Sequence, residues 1–238
     1  MGKTCGQSEF QRLPADGSSG ENRLPVISLI RIADKKMARL TKQSAPPVYG
    51  ELKAELARKC IHLLIALVPA LASLDLSNTA LLLMGGILFY TCAESLRFLG
   101  FSLPLISSVT AAVARKRELG HFALGPVTLG LGALLALLLF RPEAASAAIY
   151  ALAFGDSAST IIGRFLGRIR PAFLQGKSIE GSLACFAAAA LAVFFVFHDW
   201  KPALAVGLAS FIVDILPLDD FDNLLLPLAA GLAAMAFR

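Results

Sequence analysis

The chain is poor in the residues that most often announce a soluble enzyme. Of its 238 residues only 16% are charged, one is Trp and three are His. The four cysteines, Cys5, Cys60, Cys92 and Cys185, lie far apart and form no C-x-x-C pair. This excludes a disulfide framework and the His/Cys spacings of zinc sites, and leaves them as small apolar side chains. No strand-type alternation occurs, and neither a G-x-S-x-G elbow nor a G-x-G-x-x-G fingerprint is present. Gln175–Ser178 reads QGKS, but a P-loop needs Gly at position 171, where the chain has Pro171. No apolar stretch follows the start, so no cleavable signal peptide is expected. Gly6 stands where N-myristoylation needs Ser or Thr. There is no internal repeat of useful strength.

What the chain has in abundance is apolar length. It is 56% hydrophobic, with mean hydropathy +0.69, which suits a polytopic membrane protein. Leu and Ala dominate, so the expected fold is an all-α membrane helix bundle. Residues 1–50 read as a polar, flexible arm, and 51–238 as the membrane-embedded catalytic domain. Within the arm, Val26–Leu40 mixes apolar and basic residues and suits either a surface helix or a partly ordered tail. Seven apolar runs follow: Cys60–Leu74, Thr79–Leu96, Phe122–Phe140, Ala144–Ile162, Leu183–Phe197, Pro202–Leu216 and Leu224–Phe237. Several are shorter than the roughly 20 residues of a straight crossing, so counts of six to eight and a re-entrant sixth or seventh run stay open. About seven crossings are expected. Nineteen of the twenty-two Lys and Arg fall in residues 1–59 and in the 97–121 and 163–181 connections. That bias places the N-terminus in the cytoplasm. The basic arm lacks the interleaved aromatics of a nucleic-acid binder, so its charge is assigned to topology and anionic lipid, and no nucleic-acid partner is expected.

With this topology the unusual polar residues gather at the cytoplasmic ends of the runs. Arg58, Lys59 and His62 open the first, Glu94 and Arg97 close the second, and Asp156 lies near the end of the fourth. Lys177 and Glu180 precede the fifth, Asp214 nears the end of the sixth, and Asp219, Asp220, Asp222 and Asn223 precede the seventh. The stretch Phe154–Ser182 concentrates this pattern, with Asp156, Arg164, Lys177 and Glu180 among Gly155, Gly163, Gly167, Gly176 and Gly181. An acid at membrane depth marks a site. Glycines admit close backbone approach, and Lys and Arg bind phosphate. Carboxylates hold Mg²⁺, which bridges nucleotide phosphates, so phosphoryl or nucleotidyl transfer is the chemistry these residues suit.

Five segments resemble the CTP-dependent polyprenol kinase family, which includes dolichol kinase, phytol kinase and the yeast-type diacylglycerol kinase. They are ARKCIH (Ala57–His62), ESLR (Glu94–Arg97), FGDSASTIIGRFLG (Phe154–Gly167), GKSIEGS (Gly176–Ser182) and DNLLLP (Asp222–Pro227). The resemblance covers roughly residues 55 to 230 and implies transfer of the γ-phosphate of CTP to a membrane lipid alcohol with a divalent metal such as Mg²⁺. Where relatives often carry Glu in the penultimate span, this chain has Asp214. On this footing Asp156, Asp222 and Asn223 are the metal candidates, with Asp214 an alternative metal ligand. Arg58, Lys59, Gly155, Gly163, Arg164, Gly167, Lys177, Ser178 and Gly181 are the nucleotide candidates. Asp156, Lys177, Glu180 and Asp214 are the catalytic candidates, with Glu180 and Asp214 as alternatives for the base. Phosphatidate cytidylyltransferases are the competing resemblance, but their KRxxxKD and HGGxxDR segments are missing here. A transporter or scaffold is a third reading.

Overall fold

A computed structural model describes residues 49–99, 122–171, 174 and 176–237. The arm, with its Val26–Leu40 segment, lies outside the described residues, as do most of the 97–121 connection and Gln175. All regular structure among the described residues is helical.

Seven consecutive rods account for it. The first is α1 (Tyr49–Leu64), continued through a 3₁₀ turn at Ile65–Leu67 into α2 (Val68–Leu74). The second is α3 (Leu76–Phe98), and the third α4 (Gly125–Leu139). The fourth is α5 (Pro142–Tyr150), which widens into a π segment at Ala151–Gly155 and continues as α6 (Asp156–Phe165). Then come α7 (Ile179–Phe197), α8 (Trp200–Ile215) and α9 (Asp222–Met235). The seven apolar runs fall on these seven rods. Four stretches, Glu55–Leu74, Leu76–Arg97, Pro142–Phe165 and Ile179–Phe197, are long and apolar enough to cross a membrane. Gly125–Leu139 and Asp222–Met235 are apolar but shorter.

The turns at one end are short, and their sequences explain them. Asp75 alone separates α2 from α3, and its carboxylate accepts the Asn78 N–H (3.0 Å). Asp199 caps α8 in the same manner, accepting from the Lys201 N–H (3.0 Å). Such side-chain acceptors satisfy amides that a helix start leaves unpaired. Pro142 starts α5, where a missing N–H costs nothing. The opposite end carries the longer connections, 99–124, 166–178 and 216–221, and it is there that the polar residues collect.

The core is built from small residues. Ala133, Ala136, Ala147, Ala148, Ala151, Ala153, Ala189, Ala203 and Ala230 are fully buried, while Leu82, Phe89, Leu138, Phe195 and Leu232 point outward. Small side chains inside let helix backbones approach, and large apolar ones outside suit lipid. This pattern agrees with membrane embedding. At the end of α3, Glu94 is wholly buried. It accepts from Arg97 Nε (2.7 Å) and Nη2 (2.6 Å) and from the Ala123 N–H (3.0 Å). The pair therefore fastens the end of α3 to the approach to α4.

Candidate active site

The π segment delivers Asp156 to the first residue of α6. A π segment adds a residue to the turn and shifts the helix face that follows, and such segments recur at functional sites. Asp156 faces α1. Lys59 Nζ donates to Asp156 Oδ2 (2.5 Å), and Lys59 is only 5% exposed. His62 Nδ1 lies 2.8 Å from the same oxygen, an ion pair when the imidazole is protonated. Beside them Glu55 pairs with Arg58, and Arg164 Nη1 donates to Glu55 Oε2 (3.0 Å). Buried charges persist only when paired, and here each lies against an opposite one. Helix α1 thus presents Glu55, Arg58, Lys59 and His62 to α6 at three- and four-residue spacings.

A second polar group lies around Asp214, near the end of α8. Ser159 Oγ of α6 donates to Asp214 Oδ1 (3.0 Å), and Ser182 Oγ of α7 donates to Oδ2 (2.7 Å). Lys177 Nζ donates to the Asp214 main-chain carbonyl (2.8 Å) and lies 3.6 Å from Oδ1 and 3.5 Å from Asp222 Oδ2. The loop that carries Lys177 is braced from both sides. Gly176 adopts φ +97°, a left-handed conformation that favours glycine. Arg170 donates to the Gly176 carbonyl (2.8 Å) and the Gly163 carbonyl (2.8 Å). Glu180 accepts from the Arg168 N–H (3.0 Å) and the Ile169 N–H (3.1 Å), and Ser178 caps α7 by accepting from the Gly181 N–H (3.1 Å).

Between α1, α4, α6 and the start of α9 lies a cleft. Its lining includes Arg58, Lys59, His62, Asp156, Asp222 and Asn223. The structure therefore brings together, on one cleft, the expected basic pair and all three metal candidates. Lys177 reaches it through Asp222. Glu180 and Asp214, the two candidates for the base, do not line it. No cluster of three or more His, Cys, Asp or Glu side chains capable of holding a metal occurs among the described residues. Mg²⁺ seldom uses an all-protein cage and is usually held by one or two carboxylates together with substrate phosphates. Asp156 and Asp222 supply that donor set, and Asn223, whose Nδ2 donates to Thr128 Oγ1 (3.3 Å), leaves its amide oxygen as a further donor. The residues fit such an ion.

The glycines turn elsewhere. A Cβ on Gly163 would stand 2.9 Å from Ser178 Oγ, and one on Gly181 would stand 2.7 Å from the Ser159 carbonyl oxygen. A Cβ on Gly167 would collide with Ser178, and one on Gly155 would stand 3.1 Å from Cys185 Sγ. Expected as backbone for a nucleotide, these four positions, with Ser178, serve the contact of the α5–α6 rod with the loop before α7 and with α7 itself. Sequence reasoning left His62, Glu55, Ser159, Ser182 and Arg170 outside the site. His62 and Glu55 carried a usable signal, three- and four-residue spacing from Arg58 and Lys59. The serines lie in the Phe154–Gly167 and Gly176–Ser182 segments, but no spacing ties them to Asp214; only the meeting of three helices joins them.

The chain is similar to two curated proteins. It is 29% identical over 156 residues to CTP-dependent diacylglycerol kinase 1 of Eremothecium gossypii, covering 63% of this chain and 49% of that protein. It is 28% identical over 182 residues to an uncharacterized protein of Methanocaldococcus jannaschii, covering 73% of this chain and 88% of that protein. The chain thus spans about half the length of the diacylglycerol kinase it matches. No family model matches the chain. No solved structure matches it either.

Proposed function

We propose that the protein is a CTP-dependent lipid kinase, transferring the terminal phosphate of CTP to the hydroxyl of a membrane lipid alcohol. The observation that carries this reading is a polar cleft at one end of an apolar bundle, with Arg58, Lys59, Asp156 and Asp222 on its wall. Distant similarity to a CTP-dependent diacylglycerol kinase supports the donor and the reaction class.

In this reading Arg58, Lys59 and Arg164 exchange their present carboxylate partners for phosphate oxygens, and Lys177 reaches the same anion from the loop before α7. Catalysis is then positioning plus electrostatics in a site shielded from water. Asp156, Asp222 and Asn223 are the residues that would hold Mg²⁺, which when bound offsets charge on the phosphates. The lipid hydroxyl enters from the bilayer between helices. Its oxygen forms the new bond to the γ-phosphorus, the bond to the bridging oxygen breaks, and CDP leaves. The proton passes to a carboxylate on the cleft wall, which also carries Glu55 and Asp220. The seven rods cross the membrane with the arm and the cleft on the cytoplasmic side, as the basic residues of the arm and of the 97–121 and 163–181 connections argue.

Purified protein incubated with a lipid-alcohol panel and labelled CTP tests the reaction. Label from the γ position should enter the lipid fraction with release of CDP. Label entering from the α position, with pyrophosphate released, would make the protein a nucleotidyltransferase acting on a lipid phosphate.

A further inference from the structure

We infer that Asp214 is a positioning residue for Lys177 and takes no part in chemistry or metal binding. Its burial and partners carry the inference. Asp214 is 3% exposed and lies off the cleft wall. Each carboxylate oxygen already accepts a serine hydroxyl, Ser159 at 3.0 Å and Ser182 at 2.7 Å, and the Lys177 ammonium stands beside Oδ1 at 3.6 Å. A buried carboxylate satisfied by two hydroxyls and a cation has its desolvation offset where it stands. Releasing it toward a metal or a proton would orphan the buried Ser159 hydroxyl and leave Ser182 Oγ only the long contact with the Ser178 carbonyl (3.4 Å).

The three partners come from three different elements, and each matters to the site. Ser159 stands three residues after Asp156 and so shares its helix face. Ser182 belongs to the first turns of α7, which the Lys177 loop enters through the Ser178 cap. Asp214 itself supplies the main-chain carbonyl that Lys177 Nζ meets at 2.8 Å. The tie therefore sets the distance between the acid of α6 and the ammonium of the loop. Asp222, at 3.5 Å on the other side, is the second anchor of Lys177 and the one that faces the cleft. Lys177 is thus aimed before any phosphate arrives, which lowers the cost of ordering it on binding.

This inference rests on the reading that Lys177 meets phosphate, and the experiment separates the two. The full chain in lipid nanodiscs is prepared as wild type, Asp214→Asn, Asp214→Ala and the double variant Ser159→Ala/Ser182→Ala. Each is assayed for CTP-dependent lipid phosphorylation, and Lys177 acetylation by a succinimidyl ester is followed by mass spectrometry in the folded fraction. Asn keeps the shape of Asp, and the serine hydroxyls can reverse to accept from its amide. Asp214→Asn should therefore retain kcat to within about threefold and leave Lys177 acetylation near the wild-type rate. The double variant and Asp214→Ala should raise the KM for CTP by about tenfold, change kcat less, and acetylate faster at Lys177. A role confined to folding would lower the yield without changing Lys177 reactivity in the protein that remains. A loss of about 10²–10³ in kcat for Asp214→Asn, with Lys177 acetylation unchanged, would overturn the inference and return Asp214 to the chemistry. Unchanged KM and acetylation in the double variant would overturn it from the other side. If the wild type transfers no phosphate from CTP while Lys177 acetylation still responds, the functional reading fails and the anchoring stands.

Discussion

Two rods of this protein look alike as hydropathy and behave differently as structure. Leu76–Arg97 runs 22 residues at mean hydropathy 1.5, and Pro142–Phe165 runs 24 residues at 1.3. Yet within an 18-residue apolar window of each, 11% of the first is buried inside the bundle against 56% of the second. Side-chain size separates them. The first is rich in leucines that project outward, such as Leu81, Leu82 and Leu88. The second is built on Ala144, Ala145, Ala147, Ala148, Ala151 and Ala153, which admit neighbours on several sides. In a membrane, where lipid is as apolar as leucine, close packing decides which helix is central. The central rod is also the one that carries Asp156, Ser159 and Arg164, so packing and site coincide in one helix.

The largest contrast between the rods should be catalytic. Lys177→Ala, in the loop that leaves the central rod, should lower turnover by about 10²–10³ with the protein still folded and inserted. Asp156→Asn should match that loss and weaken the apparent Mg²⁺ affinity. It also strips Lys59 of its buried partner, so thermal unfolding must be followed alongside. Normal turnover in Lys177→Ala, or an unchanged metal dependence in Asp156→Asn, would detach the central rod from the chemistry.

Packing supplies a smaller contrast. Gly181→Ala pushes a Cβ to 2.7 Å from the Ser159 carbonyl and 3.1 Å from Gly163 Cα, backbone atoms that cannot step aside. It should destabilise the bundle by about 1–3 kcal/mol. In the peripheral rod Gly85 has nothing within 4 Å of where a Cβ would be. Gly85→Ala should be neutral or stabilising by up to about 1 kcal/mol, because it only removes backbone freedom. Unfolding of the two variants in one detergent is the measurement, and equal shifts would erase the distinction.

The gentlest probe is topological. Single cysteines at positions 169 and 199, in a background without the natural four, should label from opposite sides of sealed vesicles. Labelling from one side would break the seven-crossing reading while leaving the cleft intact.

The seven rods were legible because apolar runs are local signals. Asp75, Pro142 and Asp199 mark boundaries that the helices respect. Asp156 and Lys177 were legible for a related reason: charge inside or beside an apolar run has few bland explanations. The glycines were ambiguous, because the same residue type serves a phosphate and a close helix contact, and spacing along the chain does not tell the two apart. Glu180 and Asp214 illustrate the other limit. Glu180 caps amides eleven and twelve residues away, and Asp214 collects hydroxyls from two other helices. Neither arrangement leaves a trace in spacing along the chain.

The central claim is that the cleft bounded by α1, α4, α6 and α9 receives CTP. A photoreactive CTP analogue, crosslinked to the folded protein in nanodiscs and mapped by peptide sequencing, tests it most directly. Label should fall in residues 55–62, 123–129, 156–164 and 220–223, and excess unmodified CTP should prevent it. Competed label confined to the Leu76–Arg97 rod or to the 198–201 turn would contradict the account.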